Sequence, residues 1–132
     1  HKGTLLLSIN GTIGNLAFYK GESVVLGKSA AYLIFIPDFV LPFAYYLLSS
    51  DRVKKFFNYE ITGTTIRNLS LKSIKSTLVG IPSTLEQKKI SNIISSIDLS
   101  IKNIQNKLSQ TQSLKKSLMQ DLLTGKVRVT VN

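Results

Sequence analysis

Two polar stretches, "SINGTIGN" (8–15) and "TGTTIRN" (62–68), hold side chains with directed donors and acceptors on glycine-containing loops. The first carries Asn10, Thr12 and Asn15; the second carries Thr62, Thr64, Thr65, Arg67 and Asn68. Amides, hydroxyls and guanidinium groups are the types that read base edges, while cations and free amides contact phosphates. Arg67 is the foremost candidate, as a bidentate guanine reader or as a phosphate clamp. Lys28 offers a phosphate contact or simply a solvated loop cation, and Arg52, Lys54 and Lys55 in "DRVKKFF" present the same pair of options on a helix. The plainer alternative for both loops is that Gly11, Gly14 and Gly63 make turns while the polar residues satisfy local backbone. "NGTIG" is too short, and lacks the lysine, for a nucleotide-binding P-loop.

The composition narrows the choice. Seventeen Lys and Arg against seven Asp and Glu give a formal charge of +10 and a pI near 10.0. The cations divide evenly, nine before residue 84 and eight after it. Such a balance suits a polyanionic partner, nucleic acid before an anionic membrane surface, with a merely soluble basic surface as the alternative. There is no cysteine, and the one histidine is His1. That removes disulfides, thiolate metal sites, His-based triads and most general-base designs. Asp51, Asp98 and Asp121 sit on expected helices at spacings that form no obvious metal cluster. A non-catalytic protein without a cofactor is therefore expected.

The elements that must carry these loops are legible in outline. Leu5–Ile9 and Leu16–Tyr19 read as strands around the "NGTIG" turn, and "SVVLGKSAAYLIFIP" as one or two more. "PDFVLPFAYYLLSSDRVKKFFNYE" has helical spacing, with Asp38 as its cap, Pro42 in its first turn and Leu41, Tyr45 and Leu48 on one face. "SLKSIKSTLVGIP" reads as a short helix and a strand at Leu78–Ile81. Residues 30–48 approach membrane-spanning length, but Pro37, Asp38 and Pro42 cut them. The opening of the chain has no signal-peptide pattern, and a cytoplasmic location is expected. It also lacks an initiator Met and starts one step from a strand, which suggests a piece of a longer protein.

After Pro82 neither Gly nor Pro recurs until Gly125, a gap of 42 residues. Ser83 and Glu86 form a capping box at one end, and Gly125 supplies the left-handed stop at the other. Between them Ile90, Ile94, Ile97, Ile101, Ile104, Leu108, Leu118 and Leu122 follow alternating steps of four and three, broken only at Thr111 and Lys115, with Leu114 nearby. This is a coiled-coil seam rather than a broad globular face. The helix would be about 60 Å long. Ser, Thr, Asn and Gln make up 19 of its 42 residues, so it needs a partner helix for stability. Packing along its own domain is the alternative, and the narrow seam argues against lipid.

"IPSTLEQKKISNIISSIDLSI" followed by "LKKSLMQDLLTGKVRV" resembles the conserved region of specificity subunits in type I restriction-modification systems. Upstream, "LLLSINGTIG" resembles the strand and turn of their target recognition domains, and "GTTIRNLSLKSIKSTLVGIP" their closing loop, short helix and strand. The resemblance implies a prokaryotic, DNA-binding chain whose globular part reads one half of a split double-stranded DNA target. It implies that the helix is a spacer, pairing antiparallel with a second helix from the other half of the subunit or from a second copy. It implies that the same region docks the methyltransferase (modification) subunits, and through them the restriction subunit, with the chemistry on those partners. Lys88, Lys89, Lys102, Lys107, Lys115 and Lys116 would then lie near DNA or a methyltransferase surface. The first part of a recognition domain, the other recognition domain and its spacer helix are not in this chain.

The expected fold is α+β: a small mixed strand and helix recognition domain followed by one long C-terminal coiled-coil helix. Its expected parts are residues 1–82, part of a DNA target recognition domain; 83–124, the spacer helix; and 125–132, a tail. The DNA-contact candidates are Asn10, Thr12, Asn15, Lys28, Thr64, Thr65, Arg67 and Asn68. The rival is a coiled-coil protein–protein assembly module without independent DNA binding. The two separate on whether DNA binding is steeply salt-dependent.

Overall fold

The computed structural model describes residues 3–62 and 67–130. Strand β1 (Thr4–Ser8) is the centre of a three-stranded antiparallel sheet, flanked by β2 (Leu16–Phe18) and β3 (Ala30–Ile34). Leu6 faces Ala17 on one side and Tyr32 on the other. Being paired on both edges, β1 is the most buried strand, with Leu5 and Leu7 wholly covered. The turn from β1 to β2 demands left-handed backbone at Gly11 (φ 67°) and Gly14 (φ 92°), which glycine adopts without steric cost.

Only one strand forms in the stretch expected to give one or two. Val24 and Val25 lie exposed before β3 and join neither edge of the sheet. The strand expected at Leu78–Ile81 is also absent: the segment has no ladder partner among the described residues, although Val79 packs against the core.

The helical stretch after Pro37 is two helices, not one. Helix α1 spans Leu41–Ser49 and α2 spans Asp51–Glu60. Ser50 separates them in extended conformation (φ −66°, ψ 150°), its hydroxyl accepting the Val53 N–H at 3.5 Å. A serine cap with Asp51 in the first turn outcompetes helix continuation. Pro42 does sit in the first turn of α1, but Asp38 does not cap it. Val40 is the cap residue, with no side-chain cap bond, and its N–H is taken by Gln87. Rings of Phe35, Phe39 and Phe43, 5.1 and 5.9 Å apart in succession, connect the end of β3 to α1. Leu7, Val53, Phe57 and Leu69 form the main core, with α2 lying against the sheet. Helix α3 (Leu71–Lys75) is capped by Ser70, whose hydroxyl accepts the Ser73 N–H at 3.0 Å.

Helix α4 spans Thr84–Leu123, within one residue of expectation at each end. Ser83 Oγ accepts the Glu86 N–H at 3.4 Å. At the other end Gly125 is left-handed (φ 74°), its N–H reaching the Leu122 carbonyl at 3.2 Å while the Val127 N–H reaches that of Asp121 at 3.0 Å. Hydroxyls of Ser91, Ser96, Ser100 and Thr111 return to carbonyls three or four residues back, which lets so polar a helix keep its hydroxyls satisfied. The chain forms two compact units, residues 1–91 and 92–132. The first holds the sheet, α1 to α3 and the first two turns of α4; the second holds the rest of α4 and its terminal cap. Among the described residues no helix is long and apolar enough to cross a membrane.

Candidate nucleic-acid interface

Ser8 organises the β1–β2 turn. Its hydroxyl donates to the Thr12 carbonyl and accepts the Asn15 N–H at 2.9 Å, while the Gly14 N–H reaches the Ser8 carbonyl at 3.0 Å. The local backbone is thus satisfied by Ser8 and by main chain. The side chains of Thr12 and Asn15 are exposed, with no hydrogen bond among the described residues.

Asn10 is placed differently. Its amide Nδ2 donates to the Lys28 carbonyl at 3.1 Å, and its main chain forms a bridge with Asn68. Its Oδ1 is buried without a hydrogen-bond partner among the described residues. Asn10 therefore ties together the β1–β2 turn, the loop before β3 and the loop after α2. Neighbouring main-chain bonds reinforce the junction: Ile9 N–H to the Ser29 carbonyl and Leu69 N–H to the Ile9 carbonyl, both 2.9 Å. Thr62 and Asn68 exchange backbone bonds of 3.1 and 3.0 Å, closing the base of the 62–68 loop. Arg67 and Lys28 are exposed beside this junction. Thr64 and Thr65 lie outside the described residues.

Residues 10, 28 and 68, remote in sequence, thus meet at one node. Thr12 and Asn15 project from the turn, and Asn15 lines a notch with Lys54 and Asn58 of α2. Asn58 is not among the sequence-derived candidates, although its four-residue spacing from Lys54 places the two on one face of α2. The carboxyl of Glu22, in the loop after β2, is held below the usual carboxylate range by its own backbone N–H and that of Lys20, the latter at 3.0 Å. Among the described residues no group of His, Cys, Asp and Glu could hold a metal ion.

A second residue missed from sequence is Gln87, the Gln of the "LEQ" triplet. It is 1% exposed, and its amide donates to the Pro82 carbonyl at 2.9 Å and the Asp38 carbonyl at 3.4 Å. Gln87 stands one heptad before Ile94, at a position the seam's own alternation reaches, but the alternation marks apolar residues and gave no sign that a glutamine there is buried. Along the seam itself Ile90 and Ile94 are partly buried, whereas Ile97, Ile101, Ile104, Leu108, Leu118 and Leu122 are exposed. Leu114, Met119 and Leu123 widen the apolar strip beyond the two heptad positions.

The fold matches that of a solved chain described as the S subunit of a type I restriction-modification system from M. genitalium, with a TM-score of 0.68 at 23% sequence identity. The match covers 91% of this chain and 32% of that one, so this chain spans about a third of its solved relative. The family model described as the type I restriction modification DNA specificity domain matches residues 1–112, and the chain belongs to that family.

Proposed function

We propose that the chain is a non-catalytic recognition and scaffold part of a type I restriction-modification enzyme. Residues 1–82 form part of a target recognition domain that reads one half of a split duplex, residues 83–124 are the spacer helix, and 125–132 are a tail. The observation that carries DNA reading is the node at Asn10, Lys28 and Asn68, which gathers three loops and leaves Arg67, Lys28, Thr12 and Asn15 exposed beside it. Exposed cations and amides on loops anchored to a sheet suit phosphate and base-edge contact. Asn10 and Asn68 hold the loops in place, and Arg67 is the leading base reader. The enzyme works in the cytoplasm, where its DNA target is.

The exposed Ile/Leu seam supports the second half of the proposal. Ile97, Ile104 and Leu108 are each more than half exposed, and a strip of that kind is stable only when covered. An antiparallel helix, from the other half of the subunit or a second copy, covers it. The same region docks methyltransferase subunits and, through them, the restriction subunit. The seam is also what favours the rival, an assembly module without DNA binding of its own. Co-purification with the cognate methyltransferase subunits, followed by duplex binding at two salt concentrations, decides between them. Sequence-dependent binding that weakens steeply with salt supports recognition; a stable complex with salt-insensitive, negligible DNA binding supports the rival.

A further inference from the structure

The β1–β2 turn and α2 meet at a notch of about 130 Å³ lined by Ile13, Gly14, Asn15, Lys54, Phe57 and Asn58. Lys54 and Asn58 stand one helical turn apart on the solvent side of α2, while Phe57, 2% exposed, turns into the core. The notch therefore has a fixed apolar floor and three polar side chains at its rim. These are one ammonium and two carboxamides, with no carboxylate. Lys54 has no acidic partner among the described residues. Gly14 opens the mouth: a Cβ built there meets nothing within 4 Å, and its φ of +92° disfavours any larger residue. Arg52 and Lys55 share the exposed side of α2, and Arg52 lines a second hollow with Ser76 and Thr77.

Three donor side chains lining one notch, with no carboxylate in its lining, suit an oxyanion. A lysine is a point charge rather than a fork, so it favours a phosphate over a particular base edge. We infer that this notch seats a backbone phosphate of duplex DNA on Lys54, Asn58 and Asn15. With that phosphate fixed, the adjoining turn meets the base edges in one register. The inference rests on the DNA-reading proposal and gives Asn15 a phosphate contact instead of a base contact.

The test compares the unaltered chain, co-expressed with its methyltransferase subunits, with Lys54→Gln and Lys54→Gln/Asn58→Ala. Both positions are exposed, so the fold is kept. Affinity for the preferred duplex and for a scrambled duplex is measured from about 50 to 200 mM salt. The expected result is a loss of affinity by a similar factor on both duplexes, with the slope of log affinity against log salt shallower by about 1. An unchanged slope in a protein that binds DNA overturns the phosphate seat and leaves DNA recognition standing. Loss confined to the preferred duplex overturns it in favour of base reading, and release of methyltransferase subunits with DNA binding intact overturns it in favour of an acidic protein surface. If the unaltered protein shows no salt-sensitive duplex binding, the DNA-reading proposal fails and the phosphate seat with it.

Discussion

Gln87 Oε1 accepts the backbone N–H of Val40 at 2.8 Å across 47 residues of chain. Val40 is the cap residue of α1, so the first turns of α4 supply the acceptor that α1 lacks from its own side chains. The Gln87 amide nitrogen bonds the carbonyls of Pro82 and Asp38, and the Thr84 hydroxyl also reaches Asp38, at 3.3 Å. One buried side chain thus fixes where α4 starts against the loop that starts α1.

Gln87→Leu fills the same space but strands these groups. Leaving a partly buried donor and acceptors unpaired costs about 1 kcal/mol, at the low end of the range for fully buried groups. Thermal unfolding of the chain should show a correspondingly lower midpoint, while an exposed neighbour, Lys88→Leu, should leave it nearly unchanged.

Ile97→Asp with Ile104→Asp should separate the helix from its partner. Each isoleucine contributes about 1.5–3 kcal/mol when buried, so the pair should weaken association at least about a hundredfold. Both are more than half exposed in the chain by itself, so the sheet domain stays folded. Sedimentation and co-purification measure the outcome, and association at unchanged strength would show that the seam is not the interface.

Arg67→Ala should relax sequence preference, with a loss of about 1–3 kcal/mol on the preferred duplex and little on a scrambled one. Arg67→Lys should fail to restore it, because a lysine cannot make the bidentate contact. Equal losses on both duplexes would make Arg67 a phosphate clamp instead.

Ser50→Ala removes the hydroxyl that accepts the Val53 N–H and so weakens the break between α1 and α2. A lost helix cap costs about 1 kcal/mol. Denaturant unfolding should show a lower midpoint with an unchanged slope, and Ser50→Asp should recover most of the loss.

What was legible in the sequence was local. The capping serine at 83 and the glycine at 125 bound α4 because a cap bond and a left-handed residue act over three or four neighbours. The apolar run at Leu5–Leu7 marks the central strand, where Leu5 and Leu7, two apart and so on one face, are wholly covered. The break at Ser50 was equally local in cause, yet the apolar spacing on either side of it masked the cap. Tertiary structure decided the rest. Val24–Val25 and Leu78–Ile81 have the composition of strands, but neither segment pairs into the sheet, and Val79 packs against the core instead. Gln87 looks like one polar residue among many on α4 until the 38–40 loop reaches it. Asn10 and Asn68 looked like equals of the other loop polars, and only long-range pairing makes them the node. The central strand, the ends of α4 and the heptad spacing of its apolar seam followed from near neighbours along the chain. Which polar residues face inward and which stay exposed depended on contacts spanning 18 to 58 positions, which no local pattern encodes.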